Sequence, residues 1–81
     1  MTDDKKQQLR CLSKLKLGET GRVHSFTDPD TETNLMEMGC VPGAIIQIAR
    51  IAPLGDPIAI LVAGYNLAIR KKDADHVWVS D

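Results

Sequence analysis

Two runs rich in β-branched residues, Ala44 to Ile51 and Ile58 to Ala63, stand on either side of Pro53-Leu54-Gly55-Asp56-Pro57. Proline supplies no amide to a ladder or a helix, so a segment with a proline at each end breaks both, and the runs read as separate strands joined by a turn. In the second run Ile58, Ile60 and Val62 share one face while Ala59, Leu61 and Ala63 share the other, so both faces are apolar. That pattern suits a strand in a closed barrel, or one that carries an external docking face.

The rest of the chain is punctuated in the same way. Gly64-Tyr65-Asn66 reads as a three-residue hairpin loop into Leu67-Ala68-Ile69-Arg70, and Lys71 to Asp75 as a polar turn. A last strand spans His76 to Ser80, with Val77 and Val79 inward and Trp78 facing the other way. Upstream, Gly21 to Phe26 alternates, with Val23 on one face and Arg22, His24 and Phe26 on the other. A short helix begins with Asp28 as N-cap and Pro29 at its first position, or at Thr31, and carries Leu35 and Met38 on one face. Gly39 then stands where a left-handed residue ends a helix, ahead of the Val41-Pro42-Gly43 turn. Leu9, Leu12 and Leu15 recur at helical spacing and predict a short helix or turn over one end of the core, followed by a Lys16-to-Glu19 turn. The sum is a mainly β fold, a small antiparallel barrel of about five strands with one short helix.

At 81 residues the chain holds one domain, and a chain of this size buries only about 60 to 65% of its unfolded surface. Residues 1–10 are polar apart from Met1 and Leu9 and are expected to form a flexible segment ahead of a folded domain at 11–81. With 43% hydrophobic and 26% charged residues, the composition is that of a globular protein that needs no cofactor to fold. Ten basic residues are interleaved with eleven acidic ones for a net charge of -1. Nucleic-acid binding draws on phosphate neutralisation, so this balance argues against nucleic acid as the main partner, and equally against an anionic membrane surface. The longest apolar run, Ile58 to Ala63, is far short of the roughly 20 residues that span a bilayer, and the N-terminus lacks a signal-peptide core. A cytoplasmic protein without direct membrane insertion is expected. Cys11 and Cys40 lack the paired spacing of a zinc or redox motif and read as free thiols in a reducing compartment.

Three strings in order carry a resemblance: Leu35-Met36-Glu37-Met38-Gly39-Cys40-Val41-Pro42-Gly43, then Ala52-Pro53-Leu54-Gly55-Asp56-Pro57-Ile58, then Gly64-Tyr65-Asn66-Leu67-Ala68-Ile69-Arg70. Together they resemble the FeoA family of ferrous iron transport proteins over nearly the whole chain, from about Leu12 to Val79. The resemblance implies an SH3-like barrel and an accessory role in bacterial ferrous iron uptake. It implies as partner a membrane iron transporter of the FeoB type, contacted through a cytoplasmic region with a GTP-binding domain. It brings no catalytic residue. Similar domains occur in metal-dependent repressors, so the alternative is a metal-sensing SH3-like regulatory domain. Leu17 stands where many relatives have proline, and Cys40 where an aliphatic residue is usual, which leaves room for a reactivity that relatives lack.

The candidate partner-binding residues are Leu54, Gly55 and Asp56 in the proline-flanked loop, Tyr65 in the hairpin, and Leu35 and Met38 on the helix. A leucine at a loop tip is poorly placed for burial unless a partner covers it, although Gly55 and Asp56 also suit a purely structural turn. Large aromatics are frequent interface anchors, which favours Tyr65. His24 and His76 sit on different expected strands without a second ligand at close spacing, so no metal site is expected. No phosphate-binding loop, nucleophile elbow or catalytic triad is present, and an enzyme is not expected. Arg70-Lys71-Lys72 reads as a solvated turn. A polyproline-binding groove would need more than one Phe, one Tyr and one Trp.

Overall fold

Residues Thr20–Phe26 and Ile45–Ile51 form the two longest strands of the computed structural model, which describes residues 9–80. In chain order the elements are β1 (Arg10–Cys11), a 3-10 turn (Leu12–Lys14), β2 (Thr20–Phe26), α1 (Pro29–Glu37), β3 (Ile45–Ile51), β4 (Ile58–Val62), β5 (Tyr65–Ile69), α2 (Lys71–Ala74) and β6 (Val77–Ser80). The six strands make one antiparallel sheet in the order β1-β6-β2-β3-β4-β5. Alternate residues from β2 through β6 meet in a single buried cluster, with Ile46, Ile60 and Val77 each 0% exposed. A flat sheet of six strands could not bring its inner residues to one centre, so the sheet curls into a barrel-like shell. Two bulges assist the curl, with His24 the extra residue of β2 against β6 and Ala49 that of β3 against β4.

The bulge at His24 explains a departure from simple alternation. Val23 and Phe26 were expected on opposite faces, yet Phe26 packs against the same core as Val23. One inserted residue shifts the parity of everything after it.

Helix α1 is set at both ends by its own sequence. At the start, the carboxylate of Asp28 accepts the Thr31 amide at 2.9 Å and the Thr31 hydroxyl at 3.0 Å. At the end, the Gly39 amide donates to Met36 O at 3.1 Å and the Cys40 amide to Leu35 O at 2.9 Å. This double reversal is the Schellman motif, and it requires the left-handed residue that Gly39 supplies with φ +94. The apolar contact that accompanies the motif follows, because Leu35 and Cys40 both enter the core.

Several expectations are corrected. The mainly β fold is as expected, and the count of about five strands becomes six because Arg10 and Cys11 pair with Val79 and Trp78. Arg10, placed by expectation in the flexible segment 1–10, therefore belongs to the sheet, while residues 1–8 of that segment lie outside the described residues. Lys71–Ala74 is a helical turn rather than a polar turn, drawn in by Ala74, which is 0% exposed. Of the leucines at helical spacing, Leu12 and Leu15 are buried in and after a single 3-10 turn while Leu9 is exposed. The β4-β5 hairpin turns on two residues, Ala63 and Gly64, not three. Cys40 gains no reactivity, because burial pushes its thiol up to about 11.

Three expectations for experiment follow from these contacts. The turn demands positive φ at both central positions, and Ala63 (φ 53) is the one non-glycine residue that adopts it among the described residues. Ala63→Asn or Ala63→Gly should raise stability by about 1 kcal/mol in urea denaturation, the usual cost of a left-handed alanine. The Thr31 amide and then its hydroxyl hold the Asp28 carboxyl below its ordinary value of 3.8. A depressed folded value stabilises the fold at pH above 3.8 and is lost as pH falls through the folded value. Denaturation should therefore show Asp28→Ala weaker than the native chain at pH 7, with the difference shrinking below pH 4. With its thiol at about 11, Cys40 is about one part in a thousand thiolate at pH 8. A thiol reagent should label Cys40 only after denaturant unfolds the protein.

Candidate functional site

The loop between β3 and β4 is closed by its own backbone. The Gly55 amide donates to Ala52 O at 2.7 Å and the Ala52 amide to Pro57 O at 3.1 Å, which leaves Pro53 and Leu54 at the tip. Leu54 is 95% exposed, more than any other large hydrophobic residue described. Asp56 plays a structural part, since its Oδ1 accepts the Lys71 amide at 2.9 Å and its Oδ2 lies 4.0 Å from the Arg70 guanidinium. The carboxylate thus anchors the base of the loop to the start of α2. Gly55 and Asp56 shape the presentation of Leu54.

A second feature lies between the end of α1 and β5. A cavity of about 500 Å³ is bounded by Glu37, Met38 and Gly39 on one side and by Tyr65, Asn66 and Leu67 on the other. It continues into a cavity of about 380 Å³ reaching Thr31, Asn34 and Leu35 on α1 and Ala68, Ile69 and Arg70 beyond β5. Met38 and Tyr65, 42% and 64% exposed, face this groove together. Leu35 does not join them at the surface: it is 2% exposed, because it follows buried Thr31 by four residues on the core-facing side of α1. It serves as floor of the groove rather than as a free contact.

The expected docking residues therefore fall into two places. Tyr65 pairs with Val62 at one end of the β4-β5 hairpin, whereas Ile58 pairs with Ile69 at the other, and Leu54 lies beyond Ile58. At the usual rise per residue the length of β5 alone puts roughly 13 Å between these ends. The sequence reading missed Glu37 and Leu67 as groove residues. The signal was present in the alternation of Tyr65, Leu67 and Ile69, hidden by the assumption that Tyr65 belonged to the loop.

Charge is divided across the molecule in a way that the net value conceals. Val41 to Lys72 carries four basic residues and one acid, Asp56, so the acidic excess lies elsewhere. Helix α1 itself has Asp30, Glu32 and Glu37 and no basic residue. The Lys16 amide, with Arg10 beside it, holds Glu19 below the usual carboxylate range, and the Ser13 hydroxyl does the same for Asp75.

His24 Nδ1 lies 2.9 Å from the Ser25 hydroxyl, and His76 Nδ1 lies 2.9 Å from that of Thr27. Among the described residues no three His, Cys, Asp or Glu side chains converge as a metal cluster. No described helix is long and apolar enough to cross a membrane.

Comparison with known proteins places this geometry in a family. The FeoA domain profile matches residues 10–81. A fusion of Fe(2+) transport protein A with the Fe(2+) transporter FeoB from Porphyromonas gingivalis is 38% identical over 45 residues, which is 56% of this chain and 5% of that much longer protein. The FeoA protein of Chlorobium tepidum superimposes with a TM-score of 0.81 at 38% identity, over 88% of this chain and 69% of that one. Stenotrophomonas maltophilia FeoA, a prokaryotic SH3 domain protein solved with zinc, does so with a TM-score of 0.73 at 29% identity, over 84% and 86%. A profile match running from β1 to the end of the chain, with the same SH3-like sheet beneath it, means that this chain belongs to the FeoA domain family.

Proposed function

We propose that the chain is a small cytoplasmic accessory module of ferrous iron transport, which docks on the cytoplasmic part of a membrane iron transporter with a GTP-binding domain and modulates it. The observation that carries this reading is the Porphyromonas gingivalis protein, in which a segment resembling this chain shares one polypeptide with FeoB. Covalent linkage raises the effective concentration of one module at another, an arrangement expected of parts that work in contact. The chain contributes binding, and GTP hydrolysis belongs to the partner. Modulation requires a difference in affinity for two states of the transporter, since equal binding to both shifts neither.

The partner-binding residues in this reading are Leu54, presented by Gly55 and Asp56, and the pair of Met38 and Tyr65 above Leu35. Apolar groups this exposed on a thin-cored domain are natural anchors, and aromatic anchors dominate many interfaces. The alternative, a metal-sensing domain, draws its support from the zinc in the Stenotrophomonas relative. Calorimetric titration with ferrous iron tests it, with sub-micromolar binding favouring sensing.

Interferometry against the cytoplasmic region of the transporter from the same organism, with and without guanine nucleotide, is the direct test of docking. Saturable binding is expected, and Leu54→Asp or Tyr65→Glu should weaken it by about tenfold or more, the effect of losing an anchor of roughly 1.4 kcal/mol. Unfolding midpoints close to native are expected for both variants because neither side chain is in the core. Unchanged affinity in both would remove these residues from the interface.

A further inference from the structure

The sheet ends on β5, which pairs with β4 alone among the described residues. Its register fixes which backbone groups are spare. Val62 and Tyr65 flank a two-residue turn and so exchange hydrogen bonds, and in an antiparallel ladder such pairs alternate with pairs that do not. Leu67 and Ile69 bond to β4 in the same way, whereas the N–H and C=O groups of Asn66 and Ala68 point away from it. No turn, loop or cap hydrogen bond among the described residues takes up these four groups.

Exposed edges are usually guarded by a lysine, a proline, a bulge or a covering element. Strand β5, Tyr-Asn-Leu-Ala-Ile, has no charge and no proline, and its ladder with β4 has no bulge. What faces it instead is a groove. The last turn of α1 stands opposite across the two cavities of about 500 and 380 Å³, which share Glu37 and Met38. From the other side come Tyr65, Leu67 and Ile69, the alternate residues of β5. Glu37 and Asp73 both line this groove and neither is in a salt bridge among the described residues, Asp73 accepting the Thr31 hydroxyl at 3.4 Å, while Arg70, which also lines it, has Asp56 Oδ2 4.0 Å from its guanidinium.

We propose that the groove takes an extended polypeptide segment, which adds to the sheet as a strand along β5. Backbone groups of the segment bond those of Asn66 and Ala68, its alternate apolar side chains fill the two cavities, and a lysine or arginine faces Glu37 and Asp73. Such strand addition draws affinity from the main chain and specificity from alternate pockets. The geometry favours a single segment over the sheet edge of a second copy, because a strand seated here has β5 on one side and α1 on the other. At the usual rise, β5 seats about five residues. This mode of binding goes beyond transporter docking and does not depend on which protein supplies the segment.

The test uses the full chain as bait for a random-sequence peptide display library, with no transporter present. Selected peptides should alternate apolar residues and carry lysine or arginine. Synthetic copies should lose about tenfold in affinity or more on Ala68→Pro, a substitution that removes an outward amide at a sheet edge. Glu37→Lys should reduce the preference for cationic peptides. Because proline could unfold β5, amide exchange on the native chain provides an independent measure. Slowed exchange at Asn66 and Ala68 in the saturated complex is the expected result. Unchanged exchange there, failure of the library to yield a ligand, or ligands indifferent to both Ala68→Pro and Glu37→Lys would each overturn the proposal.

Discussion

Two amides just past the last turn of α1, those of Gly39 and Cys40, turn back onto the carbonyls of Met36 and Leu35, and much of the molecule is arranged by that reversal. It ends the helix where the barrel needs a lid and turns Cys40 into the core beside Leu35. It also leaves Met38 outside, facing β5. A helix continuing one turn further would carry Met38 and Cys40 to different faces and abolish the groove. In a domain whose core draws on single residues from nearly every element, such a local constraint counts for more than it would in a larger protein.

The elements legible in the sequence are those with their own periodicity or their own punctuation. Ala44 to Ile51, Ile58 to Ala63 and the helix from Asp28 to Gly39 were readable because each carries its pattern within itself. The elements that were not legible depend on distant partners. Strand β1 is two residues long and has no period to detect; it exists because Val79 and Trp78 accept it. Helix α2 is polar except for Ala74, and the first of its amides is satisfied by Asp56, fifteen residues earlier in the chain. The bulge at His24 is likewise a property of β2 against β6, invisible in either strand alone.

The site divides along the same line. Leu54 was identifiable because a leucine between prolines has nowhere to be buried, and it is the most exposed large hydrophobic residue described. Leu35 was misjudged because its spacing from Met38 put both on one helical face, while the helix ends between them and the chain turns. Gly55 and Asp56 were recognisable as special, but sequence could not say that Asp56 bonds to Lys71 and so ties the loop to α2. The groove itself involves residues from two elements that never adjoin in sequence, and nothing short of the fold brings them together.

The segregation of charge has a kinetic consequence. A molecule with a net charge of -1 is drawn only feebly toward any partner from afar. Its acids are spread over the chain, but helix α1 holds three and no base while Val41 to Lys72 holds four bases and one acid, so a partner at close range meets patches of either sign. Such patches bias the orientation of an encounter only at the moment of contact. Salt limits their reach to about 8 Å at physiological ionic strength, about three layers of water.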